Sequence, residues 1–277
     1  MPELAVNDTT IFYEREGAGP PCLVLHGGLG VDHTMYSRSL RPLADRLDLV
    51  FPDHRGNGRS GRPPLDTITI EQLADDAAAL AGVLGFDRIL VFGHSYGGFV
   101  AQELTLRHPE LVGALMLIDT TPGQLGTGES EDDYRGEPTP PELIDLVSRV
   151  PESDAELAAG MSVLVPLYLH QADTAEAAAL FDQTVYSRDA MVQGFVALST
   201  WSSVDRLPTI SVPTLVTVGR HDLFTSPPQA DRIADRVPNS QRVVFEHSGH
   251  MPWLDEPDEF FRIVKGWLDT AWGTNHG

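Results

Sequence analysis

One segment constrains the fold more than any other: an apolar strand that runs directly into a glycine-rich turn and then into a helix. The strand is Arg88 to Phe92, the turn is Gly93-His94-Ser95-Tyr96-Gly97-Gly98, and the helix is Phe99 to Arg107. This G-x-S-x-G pattern puts a serine on a sharp, strained turn, where flanking glycines let strand and helix approach each other. The helix N-terminus beneath the serine favours negative charge. We therefore predict that Ser95 is a catalytic nucleophile.

The same turn excludes several other kinds of site. No lysine follows Gly98, so this is not the G-x-x-x-x-G-K loop that cradles phosphates, and the glycine spacing is not that of a dinucleotide-binding fold. A serine rather than an aspartate at position 95 also argues against dehalogenase or epoxide hydrolase chemistry.

Around this turn, short runs rich in Val, Ile and Leu alternate with segments of helical periodicity. This alternation is typical of an α/β fold with a mostly parallel sheet flanked by helices. The further predicted strands are Cys22 to His26, Leu47 to Pro52, Ala114 to Ile118, Thr214 to Val218 and Arg242 to Glu246. The predicted helices are Ile70 to Leu84, Pro228 to Arg236 and Asp258 to about Trp272. At the N-terminus, Leu4 to Val6 and Ile11 to Glu16 predict an antiparallel hairpin at the sheet edge.

The strand pattern is interrupted between Ile118 and Thr214. A stretch rich in Gly, Pro, Glu and Asp, Thr121 to Thr139, predicts a loop. Four helices are predicted after it: Pro141 to Val150, Ala155 to Val165, Ala175 to Tyr186 and Met191 to Trp201. We expect residues 1–120 and 209–277 to form the core domain and residues 121–208 to form an inserted helical cap, or lid.

A serine hydroxyl is a weak nucleophile until a histidine accepts its proton. When the serine occupies such a turn, an acid and then a histidine follow it in the chain. His250 lies in a loop between the last strand and the last helix, and we predict that it is the base. His247 at the strand end is expected to be structural, and His276 lies in the terminal tail.

His247 and His250 could be taken for a metal pair, but the chain has no H-E-x-x-H helix and no nearby third ligand, so neither metal nor cofactor is predicted.

Two aspartates could orient this histidine. Asp222 follows the strand Thr214 to Val218, where its carboxylate can hold the second imidazole nitrogen and stabilise the imidazolium. Asp119 ends the strand Ala114 to Ile118 and is the alternative acid. We predict Asp222 and leave Asp119 open.

A second glycine-rich turn, His26-Gly27-Gly28-Leu29-Gly30, follows the strand residues Cys22 to Leu25. Its glycines allow backbone N–H groups to point at an oxyanion without obstruction by side chains. We predict that the amides of Gly28 and Tyr96 form the oxyanion hole. Predicted substrate contacts are Gly27, Leu29, Trp201 and Met251; Phe195, Leu167 and Tyr168 could line an apolar pocket with Trp201 or form the core of the cap.

Charge and cysteine content restrict the partners. With 40 acidic residues against 19 Lys and Arg, the formal net charge of −21 repels phosphate backbones and anionic lipid headgroups. We expect a small-molecule substrate, no nucleic acid or membrane partner, and a monomer or small homo-oligomer.

The single cysteine, Cys22, is expected to be a buried inert thiol. The chain shows no secretory signal or membrane span, so we expect a cytoplasmic protein.

With these residues in place, the chain resembles the α/β-hydrolase superfamily, and within it the proline iminopeptidase branch. Three stretches carry the resemblance: His26 to Gly30, Phe51 to Ser60, and Gly93 to Gly98. The resemblance implies a cofactor-independent serine hydrolase that cleaves a small-molecule ester, lactone or amide through an acyl-enzyme. Asp53 to Ser60 is expected to be a structural loop fixed by hydrogen bonds from its Asp and Arg.

The chain departs from the iminopeptidase pattern at two positions. Leu29 stands where that pattern has proline after the paired glycines, and His54 stands where it has glutamine. The glutamates with which those enzymes hold the substrate's amino terminus have no residue-by-residue match here. A carboxylesterase or lactonase of a small metabolite is therefore an alternative, and a non-hydrolytic receptor or a cofactor-free oxygenase on the same fold are alternatives of other classes.

Overall fold

A computed structural model describes residues 3–130 and 149–272 of the chain. Within these ranges eight strands form one sheet in the order β1-β2-β4-β3-β5-β6-β7-β8. The strands are β1 (Glu3–Val6), β2 (Thr9–Gly17), β3 (Pro21–Leu25), β4 (Asp48–Pro52), β5 (Ile89–His94), β6 (Val112–Ile118), β7 (Thr214–Gly219) and β8 (Ser240–Phe245).

The sheet is parallel except at one edge. β1 pairs antiparallel with β2, and β2 pairs antiparallel with β4, whereas all other neighbours run parallel. The β1–β2 turn is tight because Val6 pairs with Thr9 and Asn7 adopts a positive φ of 48°, a conformation that asparagine tolerates well. The predicted edge hairpin and mostly parallel sheet are both confirmed.

Helices connect the strands. The described helices are α1 (Thr34–Ser39), α2 (Ile70–Val83), α3 (Tyr96–Arg107), α4 (Asp154–Leu164), α5 (Thr174–Leu180), α6 (Arg188–Leu198), α7 (Pro227–Ala234), α8 (Pro252–Asp255) and α9 (Pro257–Ala271). None of the helices in the described ranges combines the length and the apolar character needed to cross a bilayer.

The sheet separates two apolar layers, because side chains along a strand alternate between its faces. On β3, Leu23 and Leu25 pack in the layer that contains residues of α2, α3 and α7. Cys22 and Val24 pack in the opposite layer, which contains residues of α4, α5, α8 and α9. Burial raises the pKa of the Cys22 thiol, in agreement with the expected inert cysteine. The central strands are thus covered on both faces, and their carboxyl ends meet at one edge of the sheet.

The insertion between β6 and β7 differs from its prediction in detail. Helix α5 ends at Leu180 rather than Tyr186, because the following chain turns towards the loop after β3. There the Val185 N–H donates to Asp32 Oδ2 at 3.0 Å and the Ser187 N–H donates to the Gly30 carbonyl at 2.8 Å. These tertiary hydrogen bonds outweigh local helical preference.

Helix α6 begins at Arg188, three positions before the predicted Met191. Ser187 caps it, since its hydroxyl accepts the Ala190 N–H at 3.3 Å, a capping pattern that the periodicity of apolar residues does not reveal. Of the predicted helix Pro141 to Val150, residues 141–148 lie outside the described ranges, and Arg149 and Val150 are not helical.

The loop that follows β4 is fastened by charges, as its sequence predicts. Asp53 accepts hydrogen bonds from the His33 Nδ1 at 2.6 Å and from the Arg59 N–H at 2.7 Å. The fully buried Arg55 guanidinium donates to both carboxylate oxygens of Asp76 on α2, at 2.5 and 2.8 Å. This ion pair anchors the loop to the helix.

Asp76→Asn should lower the free energy of unfolding by about 3 kcal/mol, because it leaves the buried Arg55 charge without its main partner. Asp75 is a matched control: it is the preceding residue on the same helix, and it pairs with Arg107 at a partly exposed site. Asp75→Asn should cost about 1 kcal/mol or less in the same urea titration. Equal losses in the two variants would contradict this account of the loop.

Candidate active site

Ser95 lies on the turn between β5 and α3 with φ 51° and ψ −117°. Such angles are strained for a residue with a side chain and cost on the order of 1–3 kcal/mol. The turn is held by β6: the Ser95 N–H donates to the Ile118 carbonyl at 3.0 Å, and Thr120 Oγ1 donates to the Ser95 carbonyl at 2.8 Å. Hydrogen bonds from neighbouring structure therefore maintain the strained backbone, which places Ser95 at the N-terminus of α3.

The flanking glycines have the steric role that the motif predicts. A Cβ atom on Gly93 would lie 2.6 Å from the Gly97 carbonyl oxygen, and one on Gly97 would lie 1.9 Å from the Leu25 carbonyl oxygen. Any side chain at either position would push α3 away from the strand ends.

His250 and Asp222 meet at the carboxyl edge of the sheet, in the loops after β8 and β7. His250 Nδ1 lies 2.9 Å from Asp222 Oδ2, and both side chains are buried. Asp222 also accepts the Phe224 N–H at 2.7 Å and the hydroxyl of Thr225. Burial opposes ionisation of Asp222, but the attraction of His250 and these hydrogen bonds hold its pKa well below the ordinary value. An ionised Asp222 fixes the proton on Nδ1 and leaves Nε2 of the neutral ring as an acceptor.

The histidine lies beside the nucleophile turn. Its ring centroid is 4.7 Å from that of His94, the residue before Ser95. In the described ranges the Ser95 hydroxyl forms no hydrogen bond. Hydrogen bonds between a nucleophile and its base are often long without substrate, so the arrangement suits the predicted roles.

Asp119, the alternative acid, lies behind Asp222. It is fully buried at φ 44°; its Oδ1 accepts the Gly219 N–H at 2.8 Å, and its Oδ2 has no partner among the described residues. Burial, and after it the negative charge of Asp222, raise the pKa of Asp119 well above the ordinary value. The carboxylate that contacts His250 is thus that of Asp222, whereas burial disfavours the charged form of Asp119.

Two groups of described residues bring together atoms of the type that bind metals. One is Asp119, Asp222 and His250, where the Nδ1 atom already bonds to Asp222. The other is Asp32, His33 and Asp53, where His33 Nδ1 bonds to Asp53 and Arg59 pairs with Asp32 at 2.7 Å. In both groups the nitrogen ligand is engaged within the protein.

The predicted oxyanion donors lie on adjacent strand ends. Leu25 pairs with Gly93, so the loop after β3 and the turn after β5 start side by side. Gly28 adopts φ 67°, a conformation that favours glycine. Within the described part of the chain neither the Gly28 N–H nor the Tyr96 N–H has a hydrogen-bond partner. Both amides are thus available to a ligand, as the oxyanion role requires.

The four predicted substrate contacts are placed differently from one another. Trp201 is buried: its indole N–H donates to Glu103 Oε2 at 2.9 Å and its ring packs edge-on against Phe99 at 5.3 Å. Met251 is buried in an apolar layer, and the Gly27 N–H donates to the Tyr36 hydroxyl. Trp201 and Met251 thus lie in the core and Gly27 is held by a hydrogen bond, and the substrate contacts stay a prediction. Leu29 alone among the four is partly exposed.

Of the other apolar residues considered in the insertion, Tyr168 comes closest to the base. Its ring lies 5.2 Å from the His250 ring and 4.7 Å from Phe224, and its carbonyl accepts the His250 N–H at 2.6 Å. Phe195 is exposed on α6. Tyr168 and Phe224 thus form an apolar wall around the imidazole.

Sequence reasoning missed several residues that hold this site. The Asp255 carboxylate accepts the N–H groups of Gly249 at 2.8 Å and of Ala172 at 2.7 Å, joining the histidine loop to the insertion. Thr225, three residues after Asp222, had a local signal, because short polar side chains commonly bond within such turns. Asp255 and Tyr36 had none, since Asp255 bonds to the distant segment His170 to Ala172 and Tyr36 bonds to the distant His94.

Comparison with known proteins identifies the fold family. A family described as the alpha/beta hydrolase fold matches residues 20–257. The chain is 28% identical to a Serratia proteamaculans protein assigned as carbamate hydrolase RutD, over 90% of this chain and 91% of that protein. It is 26% identical to a proline iminopeptidase of Heyndrickxia coagulans, with 93% of each chain covered.

A solved structure has the same fold. A thermophilic esterase from Thermogutta terrifontis is 26% identical and superposes with a TM-score of 0.78, covering 97% of this chain and 98% of that one. The predicted fold class and resemblance are confirmed, and the chain belongs to the alpha/beta hydrolase fold family.

Proposed function

We propose that this protein is a cofactor-independent serine hydrolase of small-molecule esters or amides. The observation that carries the proposal is the strained Ser95 turn at the N-terminus of α3, next to a buried imidazole whose Nδ1 is held by Asp222 at 2.9 Å. Strain at a solvent-accessible polar residue is uncommon outside functional sites.

In the proposed mechanism, His250 Nε2 takes the Ser95 proton as the hydroxyl oxygen attacks the substrate carbonyl carbon. Asp222 stabilises the resulting imidazolium, and the amides of Gly28 and Tyr96 donate to the oxyanion. Collapse of this intermediate expels the leaving group, which takes the proton from His250. Water, deprotonated by His250, then attacks the acyl-enzyme and releases the acid and Ser95.

The surroundings of His250 favour neutral acyl substrates over peptides with a free amino terminus. Among the residues that the structure describes, the groups that reach the imidazole are the rings of Tyr168, Phe224 and His94, with Asp222 and Thr225 below it. The carboxylate in this set is already bonded to His250 and is not free to pair with a substrate ammonium. The iminopeptidase relative therefore supports the mechanism, while the esterase and the carbamate hydrolase supply the preferred substrate classes.

We further propose that residues 121–208 act as the cap of this site. Tyr168 and the Asp255-bound segment His170 to Ala172 connect the insertion to the histidine loop. Gly30, after the oxyanion glycines, accepts the Ser187 N–H from the same insertion. The insertion thus contacts both loops that flank Ser95.

A substrate panel tests the proposal directly. It compares short and long nitrophenyl esters, lactones, a carbamate and proline anilide, with Ser95→Ala as the blank. We expect turnover of at least one ester or carbamate and little or none of the anilide. Cleavage of the anilide alone would overturn the proposed substrate class in favour of the peptidase branch.

Ser95→Ala should lower kcat by at least about 10³-fold, because it removes the attacking oxygen and leaves only binding and oxyanion stabilisation. Ser199→Ala, an exposed serine at the end of α6, is the control and should retain wild-type turnover. Both variants should fold, as checked by circular dichroism. Retained turnover in Ser95→Ala would eliminate the serine mechanism.

The two aspartates can be separated by matched amide variants. Asp222→Asn should lower kcat by about 10³–10⁴-fold, because the amide cannot stabilise the imidazolium and favours the wrong tautomer. Asp119→Asn should lower kcat by no more than about tenfold, since Asp119 bonds to the Gly219 N–H rather than to His250 and an amide oxygen can accept the same hydrogen bond. The reverse ranking of kcat would assign the acid to Asp119.

A further inference from the structure

A chain of three buried hydrogen bonds connects the oxyanion loop to the histidine loop. The Gly27 N–H, just before the proposed oxyanion amide, lies 2.7 Å from the Tyr36 hydroxyl oxygen. That oxygen lies 2.6 Å from His94 Nδ1, and His94 Nε2 lies 2.8 Å from the His250 carbonyl oxygen. The chain passes behind Ser95, through the residue that precedes it.

The two ends of this chain set the direction of its outer bonds. A backbone N–H can only donate, so the Tyr36 oxygen accepts from Gly27. A carbonyl can only accept, so His94 must carry a hydrogen on Nε2. Burial and then the nearby His250 ring lower the pKa of His94 well below the ordinary value, which favours the neutral ring. In this neutral Nε2–H tautomer, Nδ1 accepts the hydrogen of the Tyr36 hydroxyl.

The chain is shielded from water. Tyr36 and His94 are each 2% exposed, and the buried Trp253 ring lies 4.7 Å from the His94 ring and 5.9 Å from the Tyr36 ring. Without solvent to replace a lost partner, removing one group leaves others unsatisfied, at a cost of about 1–3 kcal/mol for each.

The opposite side of Gly27 is fixed as well. Its carbonyl oxygen lies 3.0 Å from His26 Nδ1, while His26 Nε2 accepts the His54 N–H at 3.1 Å. The Gly27 carbonyl and the Gly28 N–H belong to one planar peptide group, so holding the carbonyl also sets the direction of that N–H. A Cβ atom on Gly27 would lie 2.7 Å from the Tyr36 oxygen, which explains why this position is glycine.

We infer that Tyr36 and His94 are positioning residues, which hold the Gly28 amide and the His250 backbone in register on the two sides of Ser95. This inference rests on the proposed function, since it concerns how the oxyanion donor and the base are aligned. Neither residue touches the reacting atoms. Both act through backbone groups, Tyr36 at Gly27 and His94 at His250.

Tyr36→Phe tests the inference because it removes a single oxygen and keeps the ring. We expect kcat to fall by about ten- to a hundredfold while KM changes less than about threefold, because oxyanion alignment acts on the transition state. Tyr13→Phe on the edge strand β2 removes a hydroxyl that makes no hydrogen bond in the described structure and should leave both constants unchanged. An unchanged kcat in Tyr36→Phe would overturn the inference.

A second test, ¹⁵N NMR of the histidine side chains, does not depend on turnover. In protein labelled with ¹⁵N-histidine, His94 should show the neutral Nε2–H pattern throughout the pH range in which the protein stays folded, with Nδ1 shifted by the Tyr36 hydrogen bond. His94→Gln identifies the signal by its loss, and Tyr36→Phe should move the Nδ1 resonance towards that of an unbonded nitrogen. Protonation of His94 in this range, or an Nδ1–H tautomer, would contradict the chain of bonds.

The kinetic and NMR experiments together distinguish failure of this inference from failure of the proposed function. If no substrate is turned over but the ¹⁵N pattern is as expected, the function fails and the chain of bonds stands. If Tyr36→Phe does not fold, His94→Gln and His94→Leu replace it in the kinetic assay. Gln can still donate to the His250 carbonyl and should retain more kcat than Leu; equal losses would overturn the role of His94.

Discussion

The positive φ of Ser95 is the constraint on which the rest of the site depends. It requires glycines at 93 and 97, because the turn brings α3 against the ends of β3 and β5. It also requires β6, whose Ile118 carbonyl and following Thr120 hydroxyl hold the Ser95 backbone. The strain is sustained by the packing of a sheet buried on both faces, so the core of the fold and the strained conformation of Ser95 are linked energetically.

His250, the proposed base, is positioned by hydrogen bonds, most of them from residues distant in sequence. Asp222 bonds to Nδ1 of His250, and the Tyr168 carbonyl accepts a hydrogen bond from the His250 backbone N–H. The Asp255 carboxylate accepts the N–H of the adjacent Gly249. Two of these residues, Asp222 and Asp255, belong to the core, and Tyr168 belongs to the insertion. Movement of the insertion would therefore reach the histidine through its backbone, which gives the proposed cap a direct physical connection to the chemistry.

Much of the fold and the central residues could be predicted from the sequence, because their signals are local. The turn at Ser95, the Asp222 loop and the His250 loop each follow an apolar strand, and parallel strands bring their carboxyl ends together. Tyr36 and Asp255 could not be predicted, because their hydrogen-bond partners are set by tertiary packing. Helix α5 ends earlier than predicted for the same reason, since the Val185 N–H beyond it donates to Asp32 on a distant loop. The raised pKa of Asp119 likewise depends on burial next to Asp222, which no local pattern records.

The most direct test of the account is covalent labelling of the nucleophile. A fluorophosphonate should react with the native protein, and mass spectrometry should locate one adduct on Ser95, with labelling slowed by at least about a hundredfold in His250→Ala. Such a probe requires an activated serine and an oxyanion site but no knowledge of the natural substrate. Absence of an adduct, or an adduct on another serine, would contradict the account of Ser95 as an activated nucleophile.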